Sequence, residues 1–145
     1  MVRIDLTYTG ELRCRATHEP SGAEIVTDAP RDNHGKGEAF SPTDMLATSL
    51  GACMLTVMGI HAQKSGWSIE GTSAHVEKHM AASGPRRVDR LVVSVRFPGA
   101  VAQHLDATAR LALEDVAEHC PVRLSLGENI AVVTRYAYDA TLAGC

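Results

Sequence analysis

Ser41-Pro42-Thr43-Asp44-Met45-Leu46-Ala47-Thr48-Ser49-Leu50-Gly51-Ala52-Cys53-Met54-Leu55-Thr56-Val57-Met58-Gly59-Ile60-His61-Ala62 is the stretch whose reading decides the fold. It reads as a buried helix. Ser41 can cap it, Pro42 suits the first helical position, and Asp44 follows Ser41 by three residues, the spacing of a capping box with Asp in place of Glu. Lys64-Ser65-Gly66 supplies the stop, a cation in the last turn followed by a glycine. Leu46, Leu50, Cys53 and Val57 recur at spacings of three and four and form one stripe, while Met45, Met54, Leu55, Met58 and Ile60 make the other faces apolar. A helix apolar all round belongs inside a protein. Its length also invites a membrane reading, but Asp44, Thr48, Ser49, Gly51, Thr56, Gly59 and His61 make it a poor span. Ala47, Ser49, Gly51 and Ala52 allow close approach of other backbones, and Cys53 sits in the middle of it all.

Outward from this helix the chain has 145 residues, enough for one domain, taken as 1–145. The net charge of −3 is spread among mixed signs with no basic run, which argues against nucleic-acid or membrane-surface partners. Met1 leads straight into alternating charged residues without a leader pattern, so the expected location is the cytoplasm. There four Cys are expected as thiols rather than as a disulfide framework.

Before the helix, Val2 to Tyr8 and Leu12 to Thr17 alternate like half-buried strands, Ala23 to Val26 is a short third one, and Asp28 to Phe40 is a long polar loop. After it, Trp67 to Met80 and Val88 to Phe97 read as strands. Val101 to Glu118 reads as an amphipathic helix with Val101, Leu105, Ala109, Ala112 and Val116 as its core stripe, widened by Leu111 and Leu113. Cys120-Pro121 interrupts it, Val122 to Leu126 is a helical turn, Ile130 to Tyr138 a last strand, and Ala140 to Cys145 a frayed tail. The fold class is α+β with a mostly antiparallel sheet.

Cys53 on an apolar helix face is inert unless a cation lies near it, because a free thiol with an ordinary pKa of roughly 8.5 is only about 3% thiolate at pH 7. Arg13 and Arg15, on one face of a strand, are the candidates. Asp44 can hold such an arginine or simply cap the helix. Cys120 precedes a proline at a helix start, where backbone N–H groups favour a thiolate. Cys14 reads as core and Cys145 as incidental. The seven His are scattered, no CxxC occurs, and His75 and His79 fall on a strand about 13 Å apart, too far to share a metal. No cofactor or metal is expected.

Ser41 to Leu46 leading to Gly51-Ala52-Cys53, together with Cys120-Pro121-Val122, resembles the two cysteine motifs of the OsmC/Ohr family of thiol peroxidases. Tyr8-Thr9-Gly10, Asp28-Ala29-Pro30 and the glycine-bearing loop to Ser41 are also similar to it. The resemblance implies an OsmC-like α+β fold, with antiparallel sheets wrapped around two central helices in an intertwined homodimer. It implies Cys53 as peroxidatic thiolate, Cys120 as resolving thiol and Arg13 as the activating cation, with a small-molecule hydroperoxide, organic rather than hydrogen peroxide, as substrate and a dithiol as reductant. Well-characterised relatives carry Glu directly after the helix-start Pro to hold that Arg. Here Thr43 stands in its place and the acid is Asp44, about 100° further round the helix. That departure keeps an alternative open, a redox sensor or small-molecule binder of the same fold that does not turn over peroxide.

Overall fold

The computed structural model describes residues 1–139. The chain forms two compact units, Met1–Leu46 and the part from Ala47 onward. The tail expected over Ala140 to Cys145 lies outside the described residues.

In the first unit, β1 (Ile4–Gly10), β2 (Arg13–His18) and β3 (Glu24–Asp28) form an antiparallel meander. Leu6 pairs with Ala16 and Ala16 with Ile25, and Arg13 pairs with Asp28. Directly opposed residues share a face, so Ile4, Leu6, Tyr8, Cys14, Ala16 and Ile25 lie on one side and Arg13, Arg15 and Asp28 on the other. The β1–β2 hairpin turns through Glu11 and Leu12, both at positive φ (50° and 62°), the backbone twist that suits the right-handed twist of paired strands. Beyond β3 the polar loop is tightly wound. A one-turn 3₁₀ helix spans Arg31–Asn33, and the Gly37 and Gly35 N–H groups donate to the Ala29 and Pro30 carbonyls at 3.2 and 3.1 Å. A Cβ on Gly35 would stand 1.7 Å from the Ala29 carbonyl oxygen, so only glycine fits.

The main helix, α1 (Pro42–Ser65), opens with the capping box read from the sequence: the Asp44 N–H donates to Ser41 Oγ (3.1 Å) and the Ser41 N–H to Asp44 Oδ2 (2.8 Å). Its length and composition would allow it to cross a membrane, but one face is spent inside the protein. Leu50, Met54 and Met58 are fully buried, with Ala47, Gly51 and Ala62 beside them. The stripe of Leu46, Cys53 and Val57 is only half-buried, so the deepest face lies one position further round than the sequence pattern suggests.

The second unit holds β4 (Ser73–Met80), β5 (Val88–Phe97), α2 (Gly99–Ala102), α3 (Ala107–Glu118), α4 (Pro121–Ser125) and β6 (Ala131–Tyr138). The sheet order is β4-β5-β6. Central β5 buries Leu91, Val93, Val95 and Phe97 almost completely. Gly51 of α1 lies against β4, where a Cβ would meet Val76 Cγ2 at 2.8 Å. Three features differ from the sequence-based expectations. β4 begins only at Ser73, because Gly71 (φ 87°) turns the chain and Thr72 bonds back to the Ile69 carbonyl. β6 runs parallel to β5, since the intervening helices carry the chain back to the same end of the sheet. The helix expected over Val101 to Glu118 is two helices: Asp106 caps α3 by accepting from the Ala109 N–H at 2.8 Å, and Arg110 reaches back to the Leu105 and Ala102 carbonyls. The break shifts the phase, so α3 buries Ala109, Leu113 and Ala117 rather than Ala112 and Val116.

Candidate active site

Pro121 builds the first half of the site. It ends α3, starts α4 at its first position, and leaves Cys120 as the cap residue with extended backbone (φ −65°, ψ 145°). The Cys120 side chain is fully buried. Its sulfur accepts from the Arg123 N–H at 3.4 Å, and the Val122 N–H also faces it. The second half comes from the middle of α1, where Cys53 is half-buried. The Cys53 thiol is a close enough neighbour of the Cys120 thiol to act on its proton. Burial pushes the Cys120 thiol above its ordinary range, the Arg123 N–H opposes that rise, and the Cys53 thiol adds to it. A two-electron oxidation would join two such free thiols as a disulfide once their sulfurs close to about 2.05 Å.

Arg13 belongs to a separate cluster in the first unit. Its guanidinium pairs with Asp28 at 3.4 Å and with Glu38. Asp28 is buried and also accepts the Glu38 N–H at 2.9 Å. That N–H is the first reason its carboxyl lies below the usual range, burial pulling the other way and Arg13 assisting. The Glu38 contact in turn raises Arg13 above its already high value, so the guanidinium stays charged. Arg13 Nε and Asp28 Oδ1 are buried without a hydrogen-bond partner among the described residues. Arg15, further along the same face, pairs instead with the exposed Glu24 at 2.9 Å. Asp44 serves the α1 cap.

Asp28 and Glu38, the acids that pair with Arg13, both fall within the polar stretch from Asp28 to Phe40, to which the sequence assigns no role on Arg13. The strand register offered a signal for Asp28, directly across from Arg13; Glu38 comes close only through the loop's glycine-dependent winding. Cys14 is half-buried on the apolar face of the first sheet. His75 and His79 fall on β4, as expected. A cleft of about 520 Å³ beside α2 is lined by Trp67, Glu70, Val101 and His104 among others, and by neither cysteine.

The family model for OsmC-like proteins matches residues 35–135, which contain both cysteines and the whole of α1. The chain belongs to the OsmC-like protein family. A Psychrobacter arcticus structure, assigned to osmotic stress induction and detoxification response, is 46% identical over 94% of this chain and 96% of its own, with a TM-score of 0.85. More distant solved members share the OsmC fold: an organic hydroperoxide resistance protein OsmC from Legionella pneumophila (17% identity, TM-score 0.72, covering 94% and 96% of the two chains) is one. Another, from Vibrio cholerae (15% identity, TM-score 0.70, 97% and 92%), carries captopril in one of its active sites. None of the curated proteins matches the sequence. The α+β OsmC fold expected from the two cysteine motifs is thus the fold of this chain.

Proposed function

We propose that the protein is a thiol peroxidase acting on organic hydroperoxides, with Cys53 as the peroxidatic and Cys120 as the resolving cysteine. The observation that carries it is that two free thiols are neighbours, one in mid-helix and one capping the next helix but two. The Cys53 thiolate attacks the distal oxygen of ROOH; the O–O bond breaks, ROH leaves with a proton, and Cys53 becomes a sulfenic acid. The Cys120 sulfur then displaces water from Cys53–SOH to form the disulfide, and a dithiol reductant reopens it by exchange. Leu50 and Val57, one turn either side of Cys53 on α1, give it apolar neighbours that suit an alkyl or aryl peroxide. Arg13 is the proposed activating cation, kept charged and held by Asp28 and Glu38. Family membership and the likeness to organic hydroperoxide resistance proteins support the same chemistry.

The working form is proposed as a cytoplasmic homodimer. Ile4, Leu6 and Tyr8 on the apolar face of β1 are 57%, 69% and 64% exposed, surface that a second copy would cover. Peptide mapping after one equivalent of cumene hydroperoxide tests the site. A Cys53–Cys120 disulfide in the wild type, and a persistent Cys53 sulfenic acid in Cys120→Ser, is the expected result. Thiols that remain reduced would remove the peroxidase reading in favour of a binding role.

A further inference from the structure

Around Cys120 the side chains form a closed bracket. Glu118 stands two residues before the cysteine, at the end of α3, and Arg123 three residues after it, in α4. They meet at 2.8 Å, Arg123 Nη2 to Glu118 Oε2. The other arm of the guanidinium, Nη1, donates to Thr134 Oγ1 on β6 at 3.4 Å. Glu118 Oε1 accepts the Tyr136 hydroxyl at 2.9 Å, and that hydroxyl also reaches the Glu114 carbonyl. Burial first, and then the bond to Glu118, hold the Tyr136 phenol far above its usual range, so it remains a donor throughout the working pH range.

This differs from a surface ion pair of negligible worth. Both partners are mostly covered (25% and 32% exposed), and each is tied by its second arm to β6. The backbone that carries the Cys120 sulfur is pinned on both flanks to one strand. Arg123 has two jobs: its N–H caps the sulfur and its side chain closes the bracket. Disulfide closure demands that the two sulfurs approach to about 2.05 Å with a restricted dihedral, a geometry that a displacement of about 1 Å defeats.

We propose that the Glu118–Arg123 pair, anchored by Thr134 and Tyr136, is a positioning device for the resolving step, aiming Cys120 at Cys53 without taking part in the attack on peroxide. The inference rests on the peroxidase reading of the two cysteines. It separates the two chemical steps: R–O–OH plus Cys53 thiolate and a proton give ROH and the sulfenic acid, which leaves the bracket idle; sulfenic acid plus Cys120 thiol give disulfide and water, which uses it.

The test is rapid-mixing oxidation of reduced Arg123→Ala, Glu118→Gln, Arg123→Lys and the swapped Glu118→Arg/Arg123→Glu protein with cumene hydroperoxide. Sulfenic acid is trapped by dimedone and disulfide is read by quenched peptide mapping. Expected are an unchanged first step and a second step slowed about 10- to 100-fold in the Ala and Gln variants. The Lys variant and the charge swap should recover most of the lost rate, and sulfenic acid should persist long enough in the Ala variant to overoxidise under excess peroxide. A second step at the wild-type rate in Arg123→Ala and Glu118→Gln would overturn the proposal, as would first and second steps slowed in equal measure. The same proteins are also oxidised with diamide, which takes two electrons from a dithiol without any peroxide. A wild type inert to cumene hydroperoxide yet closed by diamide would sink the peroxidase reading alone, and the bracket would then stand or fall on the variants' diamide rates.

Discussion

Cys120 illustrates how one buried thiol couples the site to stability. Its proton is held more tightly in the folded protein than in the unfolded chain. The stabilising contribution is therefore complete below an ordinary thiol pKa of about 8.5 and is lost as pH rises above it, because there the unfolded state gives up the proton first. Tyr136 and Tyr138, also raised by burial, add to the alkaline loss only above about 10. Urea midpoints between about pH 8.5 and 10 should thus fall more steeply for the wild type than for Cys120→Ala. Asp28 works with the opposite sign. Its depressed carboxyl stabilises the fold above the ordinary Asp value of about 3.9 and loses that effect as pH falls through its folded value. Acid titration of stability should be shallower in Asp28→Asn, and parallel curves would show that the carboxylate is not charged in its buried place. The roles of Asp28 and Glu38 illustrate what residue-level reading misses. The sequence offers Asp44, one place beyond Thr43, as an acid for Arg13, and the loop adds two more, Asp28 and Glu38, that no local spacing announces.

At the scale of elements, α1 was the most legible part of the chain because its cap, its stop and its apolar faces all agree. Its contact with β4 is testable at Gly51. An alanine there gains up to about 1 kcal/mol of helix propensity but must push Val76 aside, and overpacking of that kind costs about 1–3 kcal/mol, so Gly51→Ala should lower the melting temperature. Met54→Ala, at a fully buried position of the same face, should cost about 2–5 kcal/mol. A neutral Gly51→Ala would mean that α1 and β4 sit further apart. Where the sequence misled, a single residue decided the outcome. Asp106 looks like an exposed polar position in a continuous helix, yet its carboxylate restarts the helix and rotates the buried stripe onto Leu113 and Ala117. Strand direction was not legible for β6, because alternation reports which residues face the core and not which way a strand runs. Gly71 hid inside an apparent strand for the same reason, since its positive φ has no hydropathy signature.

For the whole molecule, the exposed apolar row Ile4, Leu6 and Tyr8 belongs to a strand with solvent on both faces, which a stable sheet rarely tolerates. Light scattering should give twice the chain mass, and Leu6→Glu should shift the population toward monomer; a wild-type monomer at micromolar concentration would end the dimer proposal. The central claim concerns the thiols. Stopped-flow mixing of the fully reduced protein with cumene hydroperoxide, following the fluorescence of the single tryptophan, Trp67, and loss of thiol together, tests it most directly. The expected result is fast consumption of peroxide that vanishes in Cys53→Ser, with a disulfide forming in the wild type and not in Cys120→Ser. Peroxide consumption no faster than that of a free thiol in solution would contradict it.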